Sequence, residues 1–224
     1  MIPLRDTIKS KTTPYVNYAL IISCGIVFLY EITLGSNAEA FLWRFGVIPS
    51  DVTNAIRGRY ISIPAFIPLI TSMFLHGGLF HIGGNMLFLY VFGDNVEDKL
   101  GHAAYLVFYL LCGIGAAAVE VFFHPTSQVP LIGASGAIAG VLGAYFILYP
   151  RARVLTLIPL IIIFPVVELS AFFFLGFWFI MQFLQGSLSY GASASGGVAW
   201  WAHAGGFLFG AALLPVMLLF SKRR

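Results

Sequence analysis

Residues 130–140 read PLIGASGAIAG. They place one hydroxyl, that of Ser135, among small residues at the start of a strongly apolar run. A serine in an apolar helix usually serves packing, because small side chains let neighbouring helices approach closely. A second polar group, His203, starts another apolar run, and histidine is the usual base for a serine. The stretch therefore predicts a helix bundle with Ser135 as a candidate nucleophile.

The composition predicts an integral membrane protein. Of 224 residues, 59% are hydrophobic and 9% are charged, whereas a soluble domain carries roughly 25% charged residues. The length accommodates about six apolar spans of ~20 residues joined by short loops. The predicted fold class is therefore all-α, a polytopic bundle of six transmembrane helices. The net charge of +3 comes largely from clusters at the chain ends, so we expect no nucleic-acid partner.

Six apolar segments are expected to cross the lipid bilayer. They lie at about residues 15–34, 79–94, 103–123, 134–149, 170–185 and 200–220. The connection 35–78 mixes arginine, proline and tryptophan with apolar residues, which is typical of interfacial helices. The charged run 94–102 is expected to be exposed to water. The predicted organisation is a cytoplasmic tail 1–14, a membrane domain 15–220 and a basic cytoplasmic tail 221–224.

Residues 154–168 are ambiguous, because they are apolar but contain Pro159 and Pro165. They could be interfacial, re-entrant or part of a span. If one span separates the Ser135 helix from the His203 helix, both residues lie at the same membrane face. Two intervening spans would put them a full bilayer apart. We therefore predict one span, a choice that depends on the hypothesis that the two residues act together.

The lysine and arginine distribution predicts the orientation. Six spans place nine of these residues on one side of the membrane and three on the other. The positive-inside rule then puts both termini in the cytoplasm. Ser135 and His203 are expected to face the outer side of the cell (inner) membrane. No cofactor and no metal is expected, since there is no H-E-x-x-H motif.

Polar residues at other span starts complete a candidate site. His81 and Asn85 are four apart and share one helical face. Because intramembrane polar groups are costly, several of them at one depth favour a functional reading. His203 would take the proton of Ser135. When Ser135 attacks a carbonyl group, the carbonyl oxygen becomes an oxyanion. It would be held by the backbone N–H of Ser135, the Asn85 amide and the His81 ring.

Small residues predict how the helices meet. Gly136 and Gly140 are four apart on the Ser135 helix, and Gly206 and Gly210 are four apart on the His203 helix. Packing through these faces would bring the serine and the histidine together. By contrast, we expect the two glutamates near outer span ends simply to be exposed to water; they are Glu31 and Glu120.

These motifs resemble those of rhomboid intramembrane serine proteases of the compact six-span prokaryotic type. His81–Asn85 is similar to the family's H-x-x-x-N, Gly133–Gly136 to its G-x-S-G, and His203–Gly210 to its H-x-x-G-x-x-x-G. The resemblance covers roughly residues 46–210. One departure is Ala139, which stands where some members have a tyrosine that stacks on the histidine. Another group must therefore orient His203.

The resemblance implies a fold and an activity. The fold is a six-transmembrane-helix rhomboid-like bundle with an interfacial first loop. The activity is a serine endopeptidase that cleaves single-span membrane proteins in or near their transmembrane segments. A Ser135–His203 dyad would do this chemistry, with Gly191–Gly197 as a mobile cap and substrate passing between the second and fifth spans. The alternative is a non-catalytic membrane protein, either a transporter or a module that binds transmembrane helices.

Overall fold

The computed structural model describes residues 1–58, 65–160, 162–189 and 198–220. The expected cap Gly191–Gly197 and the basic tail 221–224 lie outside these residues.

Helices make up most of the described chain, which confirms the all-α prediction. The bundle consists of α1 Tyr15–Thr33, α5 Leu79–Leu100, α6 His102–Phe123, α7 Ser135–Leu148, α8 Ala171–Ser189 and α9 Trp200–Phe220. Between α1 and α5 lie the short helices α2 Ala38–Phe45, α3 Pro49–Ile56 and α4 Pro68–Thr71. Within the described residues, α1, α6, α8 and α9 are long and apolar enough to cross a membrane. The apolar helix α7 is shorter, with 14 residues.

Helix α7 lies at the centre of the bundle. It packs against α9, α6 and α5, and its residues from Ala137 to Tyr145 are all buried. The aromatic rings of Phe92, Phe108 and Tyr145 fill the surrounding core. In contrast, α1 and α8 expose rows of large apolar side chains, among them Ile22 and Phe173. Exposed apolar rows on outer helices are the expected surface for lipid.

A three-stranded antiparallel sheet lies at one end of the bundle, in the order β1 Ile2–Asp6, β2 Arg153–Leu157 and β3 Val166–Ser170. Ile2 pairs with Leu157, and Arg153 pairs with Ser170. This end is called the sheet end, and the opposite one, where α7 and α9 begin, the site end. The sheet was not predicted from the sequence.

Strands β2 and β3 resolve the ambiguity at 154–168. The described residues of this segment form two strands instead of a span, so α8 is the helix between α7 and α9, as predicted. The strands arise because alternate residues of β2 turn inward: Val154 and Thr156 are fully buried, whereas Arg153 is exposed. Such a period of two belongs to a half-buried strand.

The charged run 94–102 is mostly helical and partly buried, so the prediction of an exposed loop was wrong. Helix α5 continues to Leu100, and Glu97 is fully buried. The Glu97 carboxylate accepts the backbone N–H groups of Val16 at 3.0 Å and Asn17 at 2.7 Å. These are unpaired donors in the first turn of α1, where a negative charge is stabilising. The charge therefore caps a neighbouring helix instead of facing water.

Candidate functional site

The start of α7 has a backbone that only glycine adopts easily. Gly133 has φ +115°, and a Cβ atom there would lie 2.7 Å from His81 Nε2. A side chain at this position would therefore be strained and would also collide with the His81 ring. Ser135 follows as the first residue of α7, half-buried at the site end. The chain thus carries the hydroxyl directly beside the start of α5.

Glycines hold α7 and α9 in backbone contact, as predicted. A Cβ atom at Gly206 would collide with the Gly136 carbonyl oxygen, and one at Gly210 would collide with the backbone of Gly140. Close packing of this kind depends on small residues at four-residue spacing. It brings the first turns of the two helices close enough for their polar side chains to touch.

Ser135 and His203 form a hydrogen-bonded pair across these helices. The distance from Ser135 Oγ to His203 Nε2 is 2.8 Å. On its other side, His203 Nδ1 lies 2.7 Å from Gln182 Oε1 on α8. This row of three groups has the connectivity of an activated nucleophile: a hydroxyl, a base, and a group that orients the base.

The group that orients His203 is therefore not an aromatic ring on α7. Ala139 is fully buried and places no ring on the histidine. Instead, two tryptophans flank the imidazole: Trp178 of α8 has its ring centre 6.0 Å away, and Trp200 of α9 has its ring centre 6.2 Å away. The hydrogen bond between His203 Nδ1 and the Gln182 amide oxygen adds a directional restraint that these rings do not supply.

Two side chains of α5 present donors near Ser135. Asn85 Nδ2 is buried and has no hydrogen-bond partner among the described residues. The Gly77 N–H lies 3.4 Å from His81 Nδ1, which would accept it. The proton of a neutral His81 ring is then on Nε2, beside Gly133. Unpaired buried donors are rare, and such donors next to a candidate nucleophile suit a developing negative charge.

Glu120 is buried and hydrogen-bonded, so the prediction that it is simply exposed to water was wrong. One oxygen accepts the Ala202 backbone N–H at 2.9 Å, and the other lies 2.6 Å from His124 Nδ1. The carboxylate thus satisfies an otherwise unpaired N–H in the first turn of α9. Trp201, in the same turn, stacks on Phe123 at a ring-centre distance of 3.9 Å.

Glu31 is likewise buried rather than wet. It accepts the backbone N–H of His76 at 3.3 Å. The His76 ring then contacts His81 edge-on, with ring centres 5.2 Å apart. The carboxylate thereby restrains the segment that leads into α5.

A cavity of about 290 Å³ opens beside the Ser135–His203 pair. Its polar lining consists of His81, Asn85, Ser135, Gln182 and His203. Its apolar walls come chiefly from α5 and α7, with one tryptophan each from α8 and α9. All four residues predicted for the site therefore meet at one cavity. In the described part of the chain, no group of three or more His, Cys, Asp or Glu residues could hold a metal ion.

Sequence reasoning missed Gln182 and the helix-capping role of Glu120. Gln182 carried one available signal, since it is an uncharged polar residue inside an apolar helix, where such groups are costly. No motif links it to His203, 21 residues away, so the pairing was visible only in three dimensions.

The chain is similar in sequence to one known family of proteins. The family model described as the Rhomboid domain matches residues 64–220, more than half of the chain. Rhomboid-like protein 11, chloroplastic, from Arabidopsis thaliana is 32% identical over 46% of this chain and 40% of its own length. Rhomboid protein 1, mitochondrial, from Saccharomyces cerevisiae is 30% identical over 59% of this chain and 38% of its own length.

A bacterial protein also matches. Rhomboid protease GluP from Bacillus subtilis is 36% identical over 52% of this chain and 21% of its own length. The matched region thus covers well under half of each of these curated relatives. The domain match and the helical bundle around Ser135 and His203 together lead to one conclusion: the chain belongs to the rhomboid family.

Proposed function

We propose that the chain is an intramembrane serine endopeptidase that cleaves single-span membrane proteins in or near their transmembrane segments. The observation that carries this proposal is the 2.8 Å contact between Ser135 Oγ and His203 Nε2 inside an apolar bundle. Membership of the rhomboid family supports intramembrane proteolysis as the general activity. The name of the Bacillus subtilis relative, a rhomboid protease, supports it further.

The first half of the reaction forms an acyl-enzyme. His203 Nε2 takes the proton of Ser135 as Oγ bonds to the carbonyl carbon of the substrate. The carbonyl oxygen becomes an oxyanion, held by the Ser135 N–H, the Asn85 amide and the His81 Nε2–H. When the peptide C–N bond breaks, the protonated His203 gives its proton to the leaving amine.

The second half returns the enzyme to its starting state. A water molecule gives a proton to His203 and adds to the acyl carbon. The ester bond then breaks, Ser135 recovers its proton, and the new carboxyl group departs. Each turnover thus consumes one water and one peptide bond. This step needs water at the site, which a cavity at the end of the bundle supports better than one at its centre.

Substrate is proposed to pass between α5 and α8. Phe88 and Phe92 of α5 approach Phe174 of α8, with ring centres 6.2 and 6.0 Å apart. Toward the site end the same two helices line the cavity instead of packing together, and Phe80 at the start of α5 is fully exposed. A transmembrane helix of a partner could reach Ser135 through this gap in the bilayer.

We propose a location in the cell (inner) membrane, with both termini cytoplasmic and the site facing the outer side. The positively charged residues of the described chain support this orientation. At the sheet end lie Arg5, Lys9, Lys11, Lys99, Arg151 and Arg153, whereas Arg44 lies in α2 and Arg57 directly follows α3. The positive-inside rule assigns the richer end to the cytoplasm.

Reconstitution with a reporter tests the proposal. The purified protein is placed in liposomes with a single-span reporter whose transmembrane helix is destabilised by glycine or proline. We expect cleavage by the wild type and none by Ser135→Ala or His203→Ala. Ser187→Ala on α8 is the matched control and should cleave normally, since among the described residues that hydroxyl bonds a carbonyl of its own helix. Normal cleavage by Ser135→Ala would exclude Ser135 as the nucleophile, whereas no cleavage by the wild type would favour the non-catalytic alternative.

A further inference from the structure

The contact between Gln182 of α8 and the His203 imidazole bears on which ring nitrogen of His203 carries the proton. For Ser135 to give its proton to His203 Nε2, that nitrogen must be unprotonated, so the ring proton of neutral His203 must be on Nδ1. An Nδ1–H group in an apolar bundle requires an acceptor, because an unpaired buried donor is costly. Gln182 Oε1, 2.7 Å away, is that acceptor. Within the described residues, the side chains that bond the ring nitrogens are Ser135 and Gln182.

Packing does not explain a glutamine at this position. Helix α8 is apolar along most of its length, and Gln182 is only 8% exposed. Leucine has nearly the same volume, so it would fill the space without a buried amide. The amide is favourable only when it is hydrogen-bonded. Its carbonyl oxygen points to the imidazole, which makes orientation of His203 the physical reason for the residue.

We propose that Gln182 is a positioning residue that holds His203 in the Nδ1–H tautomer, so that Nε2 remains free to accept the proton of Ser135. The inference rests on the proposed function, because it concerns how the base of that reaction is oriented. Gln182 acts through His203 and is not itself required to touch the scissile bond.

The position of this residue on α8 adds a consequence for substrate passage. Helix α8 is held to α9 by ring contacts of Phe179 with Phe207, at 5.0 Å, and of Phe183 with Trp201, at 5.5 Å. The same helix borders the gap proposed for the substrate. Displacement of α8 away from α9 would therefore break the bond to His203. The base is then fully oriented only while α8 lies against α9.

The test compares an apolar variant of similar volume with an acceptor-preserving one. Gln182→Leu keeps the volume and removes the acceptor, whereas Gln182→Glu keeps an oxygen beside Nδ1 and adds charge. We expect kcat to fall roughly 10- to 100-fold in Gln182→Leu, the effect of losing one orienting hydrogen bond. Gln182→Glu should retain most of kcat. As the pH is lowered, the kcat of Gln182→Glu should begin to fall at a higher pH than the kcat of the wild type. The reason is that a carboxylate stabilises the protonated imidazole, which cannot act as the base.

A packing role predicts the opposite ranking, since buried charge is worse than a buried leucine. Higher kcat in Gln182→Leu than in Gln182→Glu would therefore overturn the inference. Gln185→Leu, three residues along on the exposed face of α8, is the matched control and should leave kcat unchanged. An equal loss in that variant would attribute the effect to α8 as a whole and likewise contradict the assignment.

A second measurement separates this inference from the proposed function. Nitrogen-15 NMR of histidine-labelled protein reports the tautomer of His203 without any substrate. We expect the Nδ1–H form in the wild type and a loss of that preference in Gln182→Leu. The same tautomer in both proteins would overturn the inference even if the reporter is cleaved. Failure of the wild type to cleave, with the tautomer shift present, would refute only the proposed function.

Discussion

Glu120 of α6 accepts the backbone N–H of Ala202 at 2.9 Å, one residue before His203. A carboxylate from one helix thereby caps the helix that carries the proposed base. The other Glu120 oxygen pairs with His124 at 2.6 Å, which holds the carboxylate in place. The same arrangement recurs at the sheet end, where Glu97 caps α1. Buried acids thus fix the starts of two helices in the bundle.

Glu120→Ala should lower both stability and cleavage. Loss of a helix cap costs about 0.5–2 kcal/mol, and fraying of α9 would loosen His203. Thermal unfolding in detergent and reporter cleavage measure the two effects. Glu39→Ala, at an exposed position of α2, is the control and should change neither. An unaltered melting temperature in Glu120→Ala would show that the cap contributes nothing.

Gly210→Ala should destabilise the bundle, because its new Cβ would meet the backbone of Gly140. A rigid backbone neighbour cannot yield as a side chain can, so we expect a cost of roughly 1–3 kcal/mol. The comparison is Gly25→Ala on α1, where no atom lies within 4 Å of the added carbon. The stability of that variant should be unchanged or higher by up to about 1 kcal/mol, because alanine has the greater helix propensity. Equal effects on the melting temperature would disprove the close contact of α7 and α9.

Asn85→Ala should reduce turnover without reducing stability. Its Nδ2 has no partner in the described residues, so its removal forfeits no native hydrogen bond. Loss of the proposed oxyanion donor should lower kcat about 10²-fold or more. Asn17→Ala should instead reduce stability without reducing the turnover of the folded protein, because Asn17 bonds Leu89 and Tyr105 in the core. A large stability loss in Asn85→Ala would indicate a structural role instead.

The attachment of β1 to the bundle should weaken as the pH rises. Burial raises the pKa of Asp6 from 3.8 to about 6, although the hydrogen bond from Tyr145 acts in the lowering direction. The native state therefore binds this proton more tightly than the unfolded chain does. The stability contributed by Asp6 is complete below its unfolded pKa and is lost as the pH rises through about 6.

Asp6→Asn tests this dependence, because asparagine stays neutral at every pH. Between about pH 4 and about pH 7 the free energy of unfolding of the wild type should fall by on the order of 1 kcal/mol more than that of the variant. This figure is reduced for the partial exposure of Asp6. Thermal unfolding at several pH values measures the difference. Parallel pH profiles for the two proteins would contradict a raised pKa.

The helical part of the fold was predictable because lipid imposes it. Long apolar runs must form helices in a bilayer, so four of the six predicted spans match the helices to within a residue or two at each end. The glycine spacing likewise predicted the contact of α7 with α9. These signals are local, since each depends on residues within one or two turns.

The remaining features depend on long-range contacts. Ile2 pairs with Leu157, and no local pattern at the N-terminus identifies that partner. Glu97 can be buried because the unpaired backbone N–H groups at the start of α1 lie beside its carboxylate. Gln182 meets His203 only through the packing of α8 against α9. Each is a polar group whose environment is set by a distant segment, which composition and spacing do not encode.

The most direct measurement of the central claim is the site of covalent labelling by a fluorophosphonate, which reacts with activated serines. Intact and peptide mass spectrometry should find one adduct, on Ser135, in the wild-type protein. The adduct should be absent in Ser135→Ala and lost or strongly slowed in His203→Ala, because the base activates the hydroxyl. An adduct on another serine, or equal labelling of Ser135 without His203, would contradict the account.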